Sequence, residues 1–192
     1  MTEEKRNQNQ EGYKVKTFPV PFSLDGIQEN NNIVNLLNEN KKDQIITQAF
    51  KSHLEGNIEE AIKYYQDFIN QGFNDFRAFS NYGIIMRDHG YLKKAVIFLQ
   101  KAIKLNPKSA ESYYNLGLAL KDLGKAKEAE ISIHKSIELK PDFANAHFNL
   151  GTILKDLGKL KEAEISTLKA IELKPNFAEA YFNLGTILKD LG

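Results

Sequence analysis

No cysteine occurs in the 192 residues. That excludes disulfides, thiolate metal sites and cysteine nucleophiles, and it is compatible with a reducing compartment. No apolar run approaches the ~20 residues that a membrane helix needs. The opening residues, MTEEKRNQNQEG, are polar and lack the apolar core of a signal peptide. Charge of neither sign dominates: 26 basic and 25 acidic side chains leave a net charge of +1. A nucleic-acid binder carries a basic excess, and none is visible here. There is no glycine-rich phosphate loop and no nucleophile motif. The four histidines, His53, His89, His134 and His147, lie too irregularly in the chain to suggest a metal site. These absences point away from an enzyme, a cofactor, a metal, a membrane and nucleic acid, and make the cytoplasm the default compartment. What remains is 42% hydrophobic and 27% charged, a globular profile long enough for one domain with a sizeable core.

That core is built from a repeat. NLGTILKDLG occurs at residues 149–158 and again at 183–192. Shifted by one period without gaps, PKSAESYYNLGLALKDLG from Pro107, PDFANAHFNLGTILKDLG from Pro141 and PNFAEAYFNLGTILKDLG from Pro175 align. FNDFRAFSNYGIIMRDHG from Phe73 keeps the same frame, and residues 41–72 keep it weakly through Gly56 and Ala61. The units are 41–72, 73–106, 107–140, 141–174 and a half unit, 175–192, with 1–40 a polar N-terminal segment expected to be disordered or extended.

Each full unit reads as two helices. Leu150, Gly151, Leu154 and Leu157 share one face of a 3.6-residue period, and Gly158 interrupts it. A second amphipathic run, KLKEAEISTLKAIELK, offers Leu160, Ala163, Ile165, Leu168, Ile171 and Leu173 for burial before Pro175 stops it. Pro107 and Pro141 play the same part in earlier units, and Gly72 supplies the stop where proline is missing. Gly83, Gly117, Gly151 and Gly185 recur on the first helices, with Ala49 at that place in the weakest unit; Ala61, Ala95, Ala129 and Ala163 recur on the second. A glycine inside a helix costs ~1 kcal/mol relative to alanine, so its repeated use implies close backbone approach.

This pattern of an aromatic, Leu-Gly, a turn glycine, two alanines and a proline resembles the tetratricopeptide repeat. Tyr113, Leu116, Gly117, Leu120, Gly124, Ala129 and Pro141 carry it in the third unit, where Ser136 replaces the second alanine. His147 takes the aromatic place in the fourth, and Gln48 and Ser52 take places usually apolar in the first. The resemblance covers residues 41–192. It implies an all-α, right-handed α-solenoid of antiparallel helix pairs, acting as a scaffold that binds a peptide or protein surface in its concave groove.

In this family the groove is lined by the first-helix face opposite the stacking face. Here that places Asn81, Asn115, Asn149 and Asn183 in one row, and Arg87, Lys121, Lys155 and Lys189 in another. Asp88, Asp122, Asp156 and Asp190 form a third, and Tyr114, Phe148 and Phe182 add aromatic surface. Asparagine offers both a donor and an acceptor to a peptide backbone. The row resembles the asparagine ladder of O-linked N-acetylglucosamine transferases; otherwise it touches only water and neighbouring turns. The charged rows read as a solvated face or as ligand contacts. A terminal-carboxylate clamp known in a related subfamily is not expected, because Ser80, Ile84, Tyr114 and Leu118 occupy its places.

Three features lie outside the complete repeats. Phe18, Val20, Phe22 and Leu24 alternate in KTFPVPFSL, either a segment that docks in a groove or a loose linker. Ile33, Val34, Leu36 and Leu37 suggest a helical turn covering the first repeat. Tyr181, Leu184, Leu188 and Leu191 form an apolar face with no second helix after it. The expectation there is an incomplete end, covered by a partner or a second copy, or a chain that is the N-terminal recruiting arm of a larger transferase-type enzyme.

Overall fold

The computed structural model describes residues 27–192. Among them are nine α-helices and no strand: α1 (Ile27–Leu54), α2 (Ile58–Asn70), α3 (Phe76–Asp88), α4 (Leu92–Leu105), α5 (Ala110–Asp122), α6 (Ala126–Leu139), α7 (Ala144–Asp156), α8 (Leu160–Leu173) and α9 (Ala178–Leu191). The array lies in the compact unit Glu39–Gly192. Residues 1–12 and the Lys16–Leu24 segment lie outside the described residues. Residues 27–40 of the expected N-terminal segment are helical, and the turn expected at Ile33–Leu37 is part of the continuous α1. No glycine or proline interrupts residues 27–54, so nothing in the chain stops the helix sooner. Leu36 and Leu37 on it are exposed.

The turns follow from glycine and proline. Within each full unit the first helix ends on a left-handed glycine: Gly56, Gly90, Gly124 and Gly158 have φ between 75° and 78°. At Gly90 the next amide, Tyr91 N–H, donates back to Met86 O at 2.8 Å, and Gly90 N–H donates to Arg87 O, satisfying carbonyls the helix leaves open. Between units the chain uses proline. Asn106, Lys140 and Lys174, each preceding a proline, have φ from −136° to −143° and ψ from 85° to 88°, because the proline ring disfavours helical geometry in the residue before it. Gln71 has no proline after it and keeps φ −77°, ψ 1°. There the stop is Gly72, at φ 76°.

Helix pairs close on the small residues. A Cβ on Gly83 would lie 2.7 Å from Leu99 Cγ, on Gly117 2.5 Å from Ile133 Cδ1, and on Gly151 2.3 Å from Thr167 Oγ1. Leu99, Ile133 and Thr167 are one residue in three successive repeats, each fully buried on the second helix. Tyr65 holds that place in the first unit, where Ala49 replaces glycine and both are fully buried. Thr167 is tolerated because its hydroxyl donates to Ala163 O at 2.8 Å. Two expected core residues are instead exposed: Ile165 at 68% and Leu168 at 46%. In α8 the buried residues are Ala163, Thr167 and Ala170; this stripe points Ile165 outward, and apolarity alone does not mark which side packs. In the first unit, Ser52 is buried and donates to Glu60 Oε2 at 3.0 Å, while Gln48 is exposed.

The stacking is asymmetric. First helices of neighbouring units touch, α3 with α5, α5 with α7 and α7 with α9. Among the described residues, α4 does not approach α6 in this way, nor does α6 approach α8. An array whose first helices crowd together while its second helices splay is curved, with the first helices inside.

Candidate peptide-binding groove

The rows expected in the groove fall on the first helices α3, α5, α7 and α9, but their members are not equivalent. Asn81 Nδ2 donates to Tyr65 Oη at 3.3 Å. Asn149 Nδ2 donates to Tyr114 Oη at 3.1 Å and to Asn145 O at 2.9 Å, which uses both of its amide hydrogens. Asn183 is buried and donates to Thr167 Oγ1 at 3.3 Å. Asn115 is half-buried, and its amide makes no hydrogen bond among the described residues. Three of the four asparagines therefore also tie helices together.

The aromatic row is held by the following unit. Tyr114 and Phe148 are half-buried. Their rings pack on Phe143 and Phe177, with centroids 4.8 and 4.9 Å away. Phe143 and Phe177 occupy the N-cap positions of α7 and α9 and offer no side-chain cap. In α3 and α5 the same place is Asp75 and Ser109, which accept from Arg77 N–H and Ser112 N–H. The later units thus exchange a cap worth ~1 kcal/mol for aromatic packing on Tyr114 and Phe148. Burial pushes the Tyr114 hydroxyl above its ordinary pKa, against the nearby positive charge of Arg87. Phe182 is 76% exposed.

The cation row spans neighbouring first helices. Arg87 pairs with Asp88 at 2.8 Å and reaches Asp122 on α5 at 3.7 Å. Lys155 Nζ donates to Thr186 Oγ1 on α9 at 3.0 Å. Lys121 and Lys155 are half-buried, and among the described residues neither has a carboxylate within 4.0 Å. Lys189, Asp156 and Asp190 are exposed. The partners Tyr65, Phe143, Phe177 and Thr186 were not expected from sequence. Each lies in a different helix or unit from the residue it holds, and a single repeat does not display that relation.

On the other side of the array, two clefts recur one period apart. One, of about 600 Å³, is lined by Tyr113, Ile131 and Lys135. The other, of about 470 Å³, is lined by His147, Ile165 and Lys169 at the equivalent places. His134 and His147 both border the second cleft, so two of the scattered histidines do approach one another. His147 Nε2–H donates to Pro141 O at 2.9 Å. No group of three metal-ligating side chains forms among the described residues, and no described helix is long and apolar enough to cross a membrane.

Antiparallel helix pairs repeated at this spacing, curved with their first helices inside, define a helical-repeat solenoid. Two sequence models of the tetratricopeptide repeat match it, one over residues 98–131 and 167–192 and the other over 76–109 and 144–177. The chain belongs to the tetratricopeptide repeat family. Solved structures of the same fold include MamA, 26% identical over 77% of this chain and 81% of that one, with a TM-score of 0.71. MamA from Desulfovibrio magneticus RS-1 is 23% identical over 77% of this chain and 83% of its own, with a TM-score of 0.70. YrrB, described as a TPR protein with an unusual peptide-binding site, is 24% identical over 80% of both chains, with a TM-score of 0.68. No curated protein matches the chain.

Proposed function

We propose that this protein is a non-catalytic, cytoplasmic interaction scaffold whose array, residues 41–192, holds a peptide or protein surface in the concave groove. The groove residues are Asn81, Asn115, Asn149 and Asn183, the aromatic Tyr114, Phe148 and Phe182, and the cationic Lys121, Lys155 and Lys189. The observation that carries this reading is the approach of the first helices alone. With the first helices on the inner side, the rows would share one curved face, to which the half-buried Tyr114 and Phe148 and the open amide of Asn115 belong. That YrrB, of the same fold, is described with a peptide-binding site supports it. The asparagine row, read as the sequence-independent backbone grip of O-linked N-acetylglucosamine transferases, rests most heavily on Asn115, whose whole amide is open. The exposed Tyr181, Leu188 and Leu191 of α9 support self-association through that face.

The test is an array of immobilised peptides probed with the intact protein and with a Tyr114→Ala/Phe148→Ala variant. The groove reading expects peptides that bind the first and are lost by the second, while the helical circular dichroism of the two proteins agrees. Peptides captured equally by both would place binding elsewhere on the molecule.

A further inference from the structure

We infer that the groove reads side-chain carboxylates, and that Lys121 and Lys155 are the residues that read them; this rests on the concave groove being the binding face. Arg87 shows what a half-buried cation in this row requires. Its side chain is 21% exposed, and two carboxylates neutralise it: Asp88 from its own helix and Asp122 from the next. Lys121 and Lys155 are its equivalents one and two repeats on, and they are also half-buried.

The repeat supplies the corresponding acids, Asp156 for Lys121 and Asp190 for Lys155, but neither pair closes to 4.0 Å among the described residues. Lys155 turns instead to the neutral hydroxyl of Thr186. The aspartates stay exposed in water, where solvent and salt screen them. The lysines are half-buried on the same helices as the half-buried Tyr114 and Phe148, and an ion pair gains more in such a less hydrated setting. The row therefore has two partly desolvated positive charges without counter-ions on neighbouring helices. A ligand carboxylate would do for them what Asp122 does for Arg87.

The state of the asparagines points the same way. A groove that held any peptide by its backbone would use the repeated amide donors. Here Asn149 has spent both amide hydrogens inside the protein, and Asn81 and Asn183 have each spent one. Across α5 and α7 only Asn115 therefore keeps its amide donors free for a peptide backbone, and side-chain chemistry adds the discrimination. The occupant that fits is an extended segment of a partner protein in which acidic residues alternate with aromatic or aliphatic ones: carboxylates on Lys121 and Lys155, apolar side chains on Tyr114 and Phe148.

The experiment uses two fluorescent synthetic peptides, one alternating Glu with Phe and Leu and its twin with Gln at every Glu position. Each is titrated by anisotropy into the intact protein and into a Lys121→Gln/Lys155→Gln variant whose helical signal is checked first. The Glu peptide is expected to bind about tenfold more tightly than its twin, as charge-assisted bonds to two lysines imply. In the double variant the Glu peptide should lose its advantage, so that the two peptides bind equally. Equal binding of the two peptides to the intact protein, or a Glu preference that survives in the variant, overturns the carboxylate reading. If Tyr114→Ala/Phe148→Ala abolishes both peptides in either case, the groove reading stands without it. Binding of neither peptide to the intact protein overturns both.

Discussion

Replacing Gly151 by alanine adds one methyl group and tests how the helix pairs close. The new Cβ would sit 2.3 Å from Thr167 Oγ1, 3.1 Å from Ala163 O and 3.3 Å from Thr167 N. The last two are backbone atoms of α8, so a rotamer change alone cannot relieve them. The first is a hydroxyl that donates to Ala163 O and accepts from Asn183 Nδ2; turning it away breaks both bonds. Overpacking of this kind costs about 1–3 kcal/mol, and the two lost Thr167 hydrogen bonds together about 1 kcal/mol. Against this, alanine favours the helix by about 1 kcal/mol over glycine. The expected balance is a loss of about 1–3 kcal/mol. Gly185 is the same position one repeat later, and a Cβ there meets nothing within 4 Å. Gly185→Ala keeps the propensity gain without the clash and should stabilise by up to about 1 kcal/mol. Urea unfolding followed by far-UV circular dichroism measures both through the midpoint. A Gly151→Ala protein as stable as the parent would refute close approach as the reason for the repeated glycine.

Asn149→Ala removes the bonds to Tyr114 and Asn145 but leaves the apolar core intact, so stability should change by no more than about 1 kcal/mol, measured by the same unfolding curves. Burial holds the pKa of His53 below the ordinary histidine value, with the charge of Asp88 pulling the other way. On acidification the unfolded chain takes up that proton first. Stability is therefore full above about pH 6.5 and falls as the pH drops through that value toward the folded pKa; His53→Phe should flatten this part of the profile of melting temperature against pH. Tyr65 behaves in the opposite sense. Burial pushes its hydroxyl to about 12, the hydrogen bond from Asn81 working against that rise. The unfolded chain loses the proton first, near pH ~10, so stability present below that value falls as the pH rises toward the folded pKa, and Tyr65→Phe should remove the fall.

Much of the architecture was legible because the signals are local and repeated. Gly90, Gly124 and Gly158 mark the turn inside a unit, and Pro107, Pro141 and Pro175 mark the turn between units; the backbone angles carry out both instructions. The close approach at Gly83, Gly117 and Gly151 was also legible. The buried stripe of α8 was not. Ile165 and Leu168 look like core and are exposed, while Thr167 looks like surface and is fully buried, since a hydroxyl bonded one turn back is acceptable inside a helix pair. The rows along the first helices could be read from periodicity, their assignment to a groove came only from the family resemblance, and the inequality of their members was visible in neither. Asn149 depends on Tyr114 a full repeat away, and Arg87 depends on Asp122. Those relations arise only when the units stack.

The central claim is that ligands meet the first helices. Amide chemical shifts of the isotope-labelled protein, followed while the Glu, Phe and Leu peptide is added, test it most directly. The account predicts shifts concentrated on α5 and α7, around Tyr114, Asn115, Lys121, Phe148 and Lys155. Shifts concentrated instead on α4, α6 and α8, around the exposed Ile97, Ile131 and Ile165, would contradict it.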